Sequence, residues 1–328
     1  MCGNNVLMKT DSAGKKVWDK TLGTNVDFFS VQQTTDGGYV VCGSSYDPQV
    51  FDPDVVADVW LIKTDASGNK TWEKTFSGTF SGTGCSAKQT IDGGYVLCSI
   101  PWFEDRFKSG IWLIKTDANG DKLWDKIFSG ALTFQLPSVQ QTKDNGYIIC
   151  GTTETSEFYS VIWLIRTDVD GNEIWDKTYV NEDEASGSST QQTADGGYIV
   201  CGSYQIHSKS ETDIWLIKTD ADGNMLWDKT LSAGDMGISA QQTKDGGYIV
   251  CGEKYCPMES LCLSRVSLIK TDANGNQLWK KRFAGQGEAF GGDVQQTMDG
   301  GYVMCSYTRP LLGGDNNALL IKIAPERR

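Results

Sequence analysis

One histidine stands among 328 residues, and that scarcity removes most hydrolytic and metal chemistry at a stroke. Neither a Ser–His–Asp triad nor a histidine-rich metal cluster can be assembled around His207 without unusual partners. His207 lies in a variable stretch, where an exposed bystander is the expected reading. Long apolar runs are missing as well, since no stretch approaches the roughly 18 residues that a membrane helix needs. Basic clusters are absent: 30 Lys and Arg face 42 Asp and Glu, for a net charge of −12. That balance excludes an electrostatic footprint for nucleic acid or anionic lipid. Met1 to Asn5 lack the basic start and apolar core of a signal peptide, so the expectation is an intracellular chain or one whose leader has been removed. Helical periodicity is nowhere to be found.

What is present is a repeat. A Trp-Leu-Ile-Lys-Thr-Asp run, a Gly turn, a Trp-Asp-Lys-Thr run and Gln-Gln-Thr-x-Asp-Gly-Gly-Tyr follow one another along the whole chain. The cation of the first run falls at Lys9, Lys63, Lys115, Arg166, Lys218, Lys270 and Lys322, with spacings of 54, 52, 51, 52, 52 and 52 residues. A fixed period of this size marks an array of supersecondary units that cannot bury their faces alone, so residues 1–328 are read as a single domain.

Each unit contains four strand signals. In the first complete unit these are Ser30–Thr34, Gly38–Gly43, Trp60–Thr64 and Lys70–Thr75, β-branched and aromatic and bounded by turn residues. Asp65-Ala66-Ser67-Gly68-Asn69 reads as a short hairpin with Gly in the left-handed position, and Asp36-Gly37-Gly38 as another. Only Asn145-Gly146 departs from the Gly pair, and Asn is the side chain that best tolerates positive φ. Four short strands per unit predict an all-β fold, a β-propeller of four-stranded blades.

First-and-second strand pairs begin near Val31, Ala87, Val139, Thr190, Ala240 and Val294, and outer strands carry Trp18, Trp72, Trp124, Trp175, Trp227 and Trp279. The count predicts six blades, with the last outer strand supplied by Val17 to Leu22 so that strands from both termini close the ring. Val6–Thr10 and Leu319–Ile323 then compete for one third-strand place.

The residues resemble the tandem-repeat β-propellers of many secreted or surface-attached bacterial and archaeal proteins, which carry W-L-I-K-T-D-x-x-G-x-x-x-W and Q-Q-T-x-D-G-G-Y-I-V-x-G. The resemblance runs from Val6 to Ile323 and implies the propeller fold and a secreted or cell-surface location, with a cytoplasmic one left open. It implies no particular ligand.

Among repeated polar residues, Gln33, Gln89, Gln141, Gln192, Gln242 and Gln296 sit on the innermost strand. They either line a central channel, where amides can bind a sugar or ordered water, or bond neighbouring blades, which is the preferred reading. Asp-x-Asn/Asp-Gly turns such as Asp168–Asn172 hint at calcium but lack the further ligands of a calcium loop, so no metal and no cofactor is expected. Cys42, Cys98, Cys150, Cys201, Cys251 and Cys305 share one repeat position. Equivalent positions are expected ~10 Å apart, too far for a bridge, and are read as small buried hydrophobes. Cys256 and Cys262 lie off the repeat and are close enough in sequence to pair.

Variation is confined to the second-to-third strand connection and the link to the next blade, which emerge on one face. Those stretches are rich in aromatic and Arg side chains suited to recognition, and Trp102, Phe103, Arg106, Tyr255 and Arg309 are the candidate contacts. The same rings would also serve merely to cap the blades. The leading expectation is a non-enzymatic, monomeric binding module for a protein or glycan. The alternatives are a glycosidase- or lyase-like enzyme using loop carboxylates at the channel mouth, and a purely structural surface repeat.

Overall fold

The structure, a computed structural model, describes residues 2–3, 5–45, 58–77, 81–102, 110–130, 136–155, 159–180, 184–206, 211–231, 234–254, 265–283, 288–290, 292–309 and 317–325. Among these residues there are strands and turns and no helix. Six four-stranded sheets recur as the blades of a β-propeller, accompanied by one three-stranded sheet at the N-terminus.

Blade 1 shows the plan. Val26–Gln33, Tyr39–Ser45, Asp58–Thr64 and Lys70–Phe76 pair antiparallel in sequence order. Blade 2 spans 81–129, blade 3 138–179, blade 4 185–231, blade 5 235–283 and blade 6 288–323. The second and third strands read almost continuously apolar because both of their faces are covered, whereas the outer strands alternate. Gly110–Thr116 is buried throughout, and Lys70–Phe76 exposes every second residue. The core therefore lies between sheets. Val40, Cys42, Val59 and Leu61 of blade 1 pack with Cys85, Ala87, Leu97 and Trp112 of blade 2.

Both hairpins of a blade have the same closure. Thr34 N–H donates to Gly38 O and Gly37 N–H to Thr34 O, and Asp65 and Gly68 repeat the arrangement with Asn69 and Asp65. Gly37 and Gly68 take the left-handed conformation at φ 84° and 79°. The predicted turn chemistry is thus observed at both hairpins. A bulge also interrupts the first strand of blades 1, 2, 4 and 5, between Phe28 and Ser30, Thr83 and Cys85, Gly187 and Ser189, and Gly237 and Ser239.

By contact the chain forms two compact units, residues 1–154 with 164–176 and residues 155–163 with 177–328. In the first, Val6–Thr10 pairs with Lys16–Thr21 and with the two-residue strand Cys2–Gly3. In the second, Asn317–Ile323 pairs with Tyr302–Arg309. Both competitors for the third-strand place therefore hold one, in different sheets. The sequence around Val17 to Leu22, expected as the outer strand of blade 6, pairs with Val6–Thr10 in the N-terminal sheet. Blade 6 reaches four strands differently. Its innermost strand is split at the place of the bulge into Glu288–Phe290 and Val294–Gln296, and both pair with Tyr302–Arg309.

Candidate functional site

At the hairpin ends, the repeated polar residues hold the blades together. Lys63 lies in an apolar strand, yet its ammonium reaches the exposed turn carboxylate of Asp36 at 2.8 Å and also donates to Thr64 O. Lys115–Asp92, Lys218–Asp195, Lys270–Asp245 and Lys322–Asp299 repeat the pair at 2.8 to 3.0 Å, and Arg166–Asp144 substitutes a guanidinium. Asp36 also accepts from Thr34 Oγ1 and Gly38 N–H, and the hydrogen bond from Lys63 above all holds its carboxyl far below the usual carboxylate range. Sequence reasoning missed this pair. The only available signal was a cation in every apolar third strand, because the variable connection between the partners hides their spacing.

The glutamines staple neighbouring blades. Gln89 Oε1 of blade 2 accepts from Thr35 N–H in the blade 1 turn at 2.8 Å, and Gln89 N–H donates to Gln32 Oε1 at 2.7 Å. Gln141 serves Ile91, Gln242 serves Ala194, and Gln296 serves Lys244 in the same way. Gln33 and Gln192 bond their own turns through Gly37 O and Gly196 O. Four of the six amides, Gln89, Gln141, Gln242 and Gln296, thus reach the turn of the preceding blade. The outer-strand Trp adds a second contact. Trp72 meets Tyr95 of the next blade edge-on at 5.6 Å, and pairs such as Trp18–Tyr39 and Trp227–Tyr248 match it.

The loop ends are individual. Trp102 closes the strand Tyr95–Trp102 opposite Ser81, and Arg309 closes Tyr302–Arg309 opposite Glu288. Both candidates thus occupy the end of a second strand, away from the hairpins. Phe103, Arg106, Tyr255, His207, Cys256 and Cys262 lie outside the described residues.

Blade 5 carries a coordinated departure at this end. In blades 2 and 4 a third-strand Trp donates its indole N–H to the Asp of the outer strand, Trp112 to Asp125 and Trp215 to Asp228, at 2.9 and 2.8 Å. Blade 5 has Ser267 and Lys280 in those places, and both donate to the fully buried Asp235 at 2.7 Å. Asp213 of blade 4 accepts from the neighbouring Gly234 N–H at 2.9 Å. At Asp58 of blade 1, burial raises the carboxyl pKa.

One expectation for the cysteines is corrected. Cys42 is bridged to Cys85, with Cα atoms 5.9 Å apart. Cys85 is not a repeat-equivalent residue but stands on the first strand of the next blade, at sheet-contact distance from Cys42. The geometric argument against pairing of equivalents still describes Cys98, Cys150, Cys201 and Cys251, which are buried and unbridged. Burial raises the thiols of Cys98, Cys150 and Cys251, to about 12 for the last two. Among the described residues no group of three or more His, Cys, Asp or Glu is placed to hold a metal ion.

No family model matches the chain, and no curated protein matches it either. Solved structures do. A protein of unknown function from Dyadobacter fermentans aligns over 92% of this chain and 96% of its own, at 12% identity and a TM-score of 0.61. The α-L-arabinofuranosidase arb93a of Fusarium graminearum aligns over 91% of this chain and 93% of its own, at 12% identity and 0.60. The NanB sialidase of Streptococcus pneumoniae aligns over 98% of this chain and 70% of its own, at 8% identity and 0.60. At such identities the likeness shows a shared fold, the six-bladed β-propeller.

Proposed function

We propose that the chain is a non-enzymatic recognition module that offers the individual loop ends of its blades to a protein or glycan. One contrast carries the reading. At the hairpin ends the repeated polar residues are engaged in holding blades together, while the connections 46–57, 103–109, 255–264 and 310–316 differ in length and sequence. Trp102, Phe103, Arg106, Tyr255 and Arg309 are the proposed contacts, aromatic and Arg types that dominate binding energy in interfaces. The net charge of −12 disfavours a nucleic-acid partner. No described helix is long and apolar enough to cross a membrane, and we take the module to act as a monomer. The Cys42–Cys85 bridge supports an oxidising, secreted or cell-surface location.

A glycoside-cleaving enzyme is the rival, since two structurally similar proteins are named as glycosidases. Such chemistry needs two facing carboxylates. Among the described residues, the strand carboxylates Asp213 and Asp235 at these ends are engaged by Gly234, Ser267 and Lys280. The test is a glycan and peptide array probed with the full chain and with the Trp102→Ala, Arg106→Ala double variant. Binding lost in the variant supports the loop-end site. Binding untouched by it, or cleavage of an arrayed glycan, overturns the proposal.

A further inference from the structure

We propose that the hairpin ends carry a second, repeated site, a cleft between neighbouring blades that takes one neutral sugar ring. It does not depend on the loop-end reading, because it lies at the opposite ends of the strands and is built from repeat residues.

The cleft between blades 1 and 2 encloses about 530 Å³, within the usual range for small-molecule sites. Asp36, Lys63, Thr71 and Trp72 of blade 1 and Gln89 and Tyr95 of blade 2 wall it. Most of these groups are held by the contacts already described, and some valence is left over. Tyr95 is almost wholly buried, and its hydroxyl makes no hydrogen bond among the described residues. At the next junction the hydroxyl of Tyr147, the equivalent residue, is buried with no partner at all. Tyr248 of blade 5 matches Tyr95, almost wholly buried as a residue and with no hydrogen bond from its hydroxyl among the described residues. Burial, and the Asp36, Asp92 or Asp195 carboxylate of the preceding blade, push these three phenols up to about 12, so each keeps its proton and remains a donor.

A buried hydroxyl without a partner is costly, and the one at Tyr147, together with the unbonded phenols of the equivalent Tyr95 and Tyr248, points to a group that arrives from solvent. The walls select its chemistry. Trp72 is half-buried and presents an aromatic surface, on which the apolar face of a pyranose can lie. The Asp36 side chain is 61% exposed and offers acceptor lone pairs beside the phenol. Gln89 Nε2 donates only a long bond to Gly93 O at 3.5 Å, leaving an amide donor for a second hydroxyl. Lys63 and Asp36 cancel each other, and Asp65 at the rim adds a negative charge, so an anionic sugar is disfavoured. Because the residue types recur, a polymer of neutral sugars can engage more than one junction and gain avidity.

The experiment is saturation-transfer NMR from the full chain to glucose, galactose, mannose and N-acetylglucosamine, with N-acetylneuraminic acid as the anionic control. Transfer to at least one neutral sugar is expected, and none to the control. In the Tyr95→Phe, Tyr147→Phe, Tyr248→Phe triple variant the dissociation constant should rise at least tenfold while the melting temperature does not fall, because the removed hydroxyls bond nothing in the protein. No transfer to any neutral sugar means that the phenols meet water only and overturns the proposal. So does wild-type affinity in the triple variant, or affinity lost in the Trp102→Ala, Arg106→Ala variant. If the triple variant does not fold, the Cζ resonances of the three tyrosines in the wild-type chain decide. They shift on sugar addition if the cleft is the site, and stay in place if it is not.

Discussion

The Asp-Gly-Gly turn contains two glycines for two different reasons, and separating them tests the account of the hairpin ends. A Cβ added at Gly38 would lie 2.1 Å from Thr64 O and 2.6 Å from Lys63 Nζ. The carbonyl is backbone and cannot step aside, while Lys63 can move only by leaving Asp36 with its side chain 7% exposed. Overpacking alone costs about 1–3 kcal/mol, and a displaced, largely buried ammonium adds to that, so Gly38→Ala is expected to cost about 3 kcal/mol or more. A Cβ at Gly37 meets nothing nearer than Ala66 Cβ at 3.9 Å, and only the left-handed backbone at φ 84° is penalised. That strain amounts to about 1 kcal/mol. Nature has run half the experiment: Asn145 occupies the first position at φ 70°, while the second position is Gly in all six blades. Urea unfolding followed by Trp fluorescence at pH 7 would measure both variants, and the gap should be about 2 kcal/mol. The same order is expected at Gly246, where nothing lies within 4 Å, and Gly247, where Thr271 O lies at 2.2 Å. Equal midpoints, or a more damaging Gly37→Ala, would refute the steric argument.

Two further predictions concern conditions rather than packing. The six turn carboxylates Asp36, Asp92, Asp144, Asp195, Asp245 and Asp299 all titrate below their ordinary value when folded. A depressed folded pKa contributes stability that is present above the unfolded value of about 3.9 and is lost as pH falls through the folded one. The urea midpoint should therefore hold between pH 7 and 5 and fall steeply below about pH 4, and a midpoint independent of pH between 5 and 2 would contradict the role given to these pairs. Reducing the Cys42–Cys85 bridge, which spans a sequence separation of 43, should lower stability by about 3–4 kcal/mol. Peptide mapping of the native protein under non-reducing conditions checks the bridge directly, and free thiols at both residues would disprove it.

Much of the fold was legible because its signals are local. Apolar runs such as Trp60–Thr64 and turns such as Asp65–Asn69 state strand and hairpin within a few residues, and periodicity multiplies each statement across the chain. The Lys63–Asp36 pair was hidden because its partners are joined through the variable connection 46–57, and spacing there carries no information. Cys85 was overlooked for the opposite reason. It breaks the repeat, and its partner on the neighbouring blade becomes visible only when two sheets are laid together.

By itself the sequence determined the period, the all-β class, the four-strand unit and the two tight hairpins, since these follow from propensity and turn chemistry acting over a few residues. Tertiary structure decided what no single unit contains: which terminal strand sits in which sheet, and how Gln89 reaches a turn in the preceding blade. It also decided that Tyr147 is buried with its hydroxyl unanswered. Those facts arise where one repeat meets the next, and the energies that choose among them, packing and hydrogen bonding between sheets, act across a gap that the order of residues does not describe.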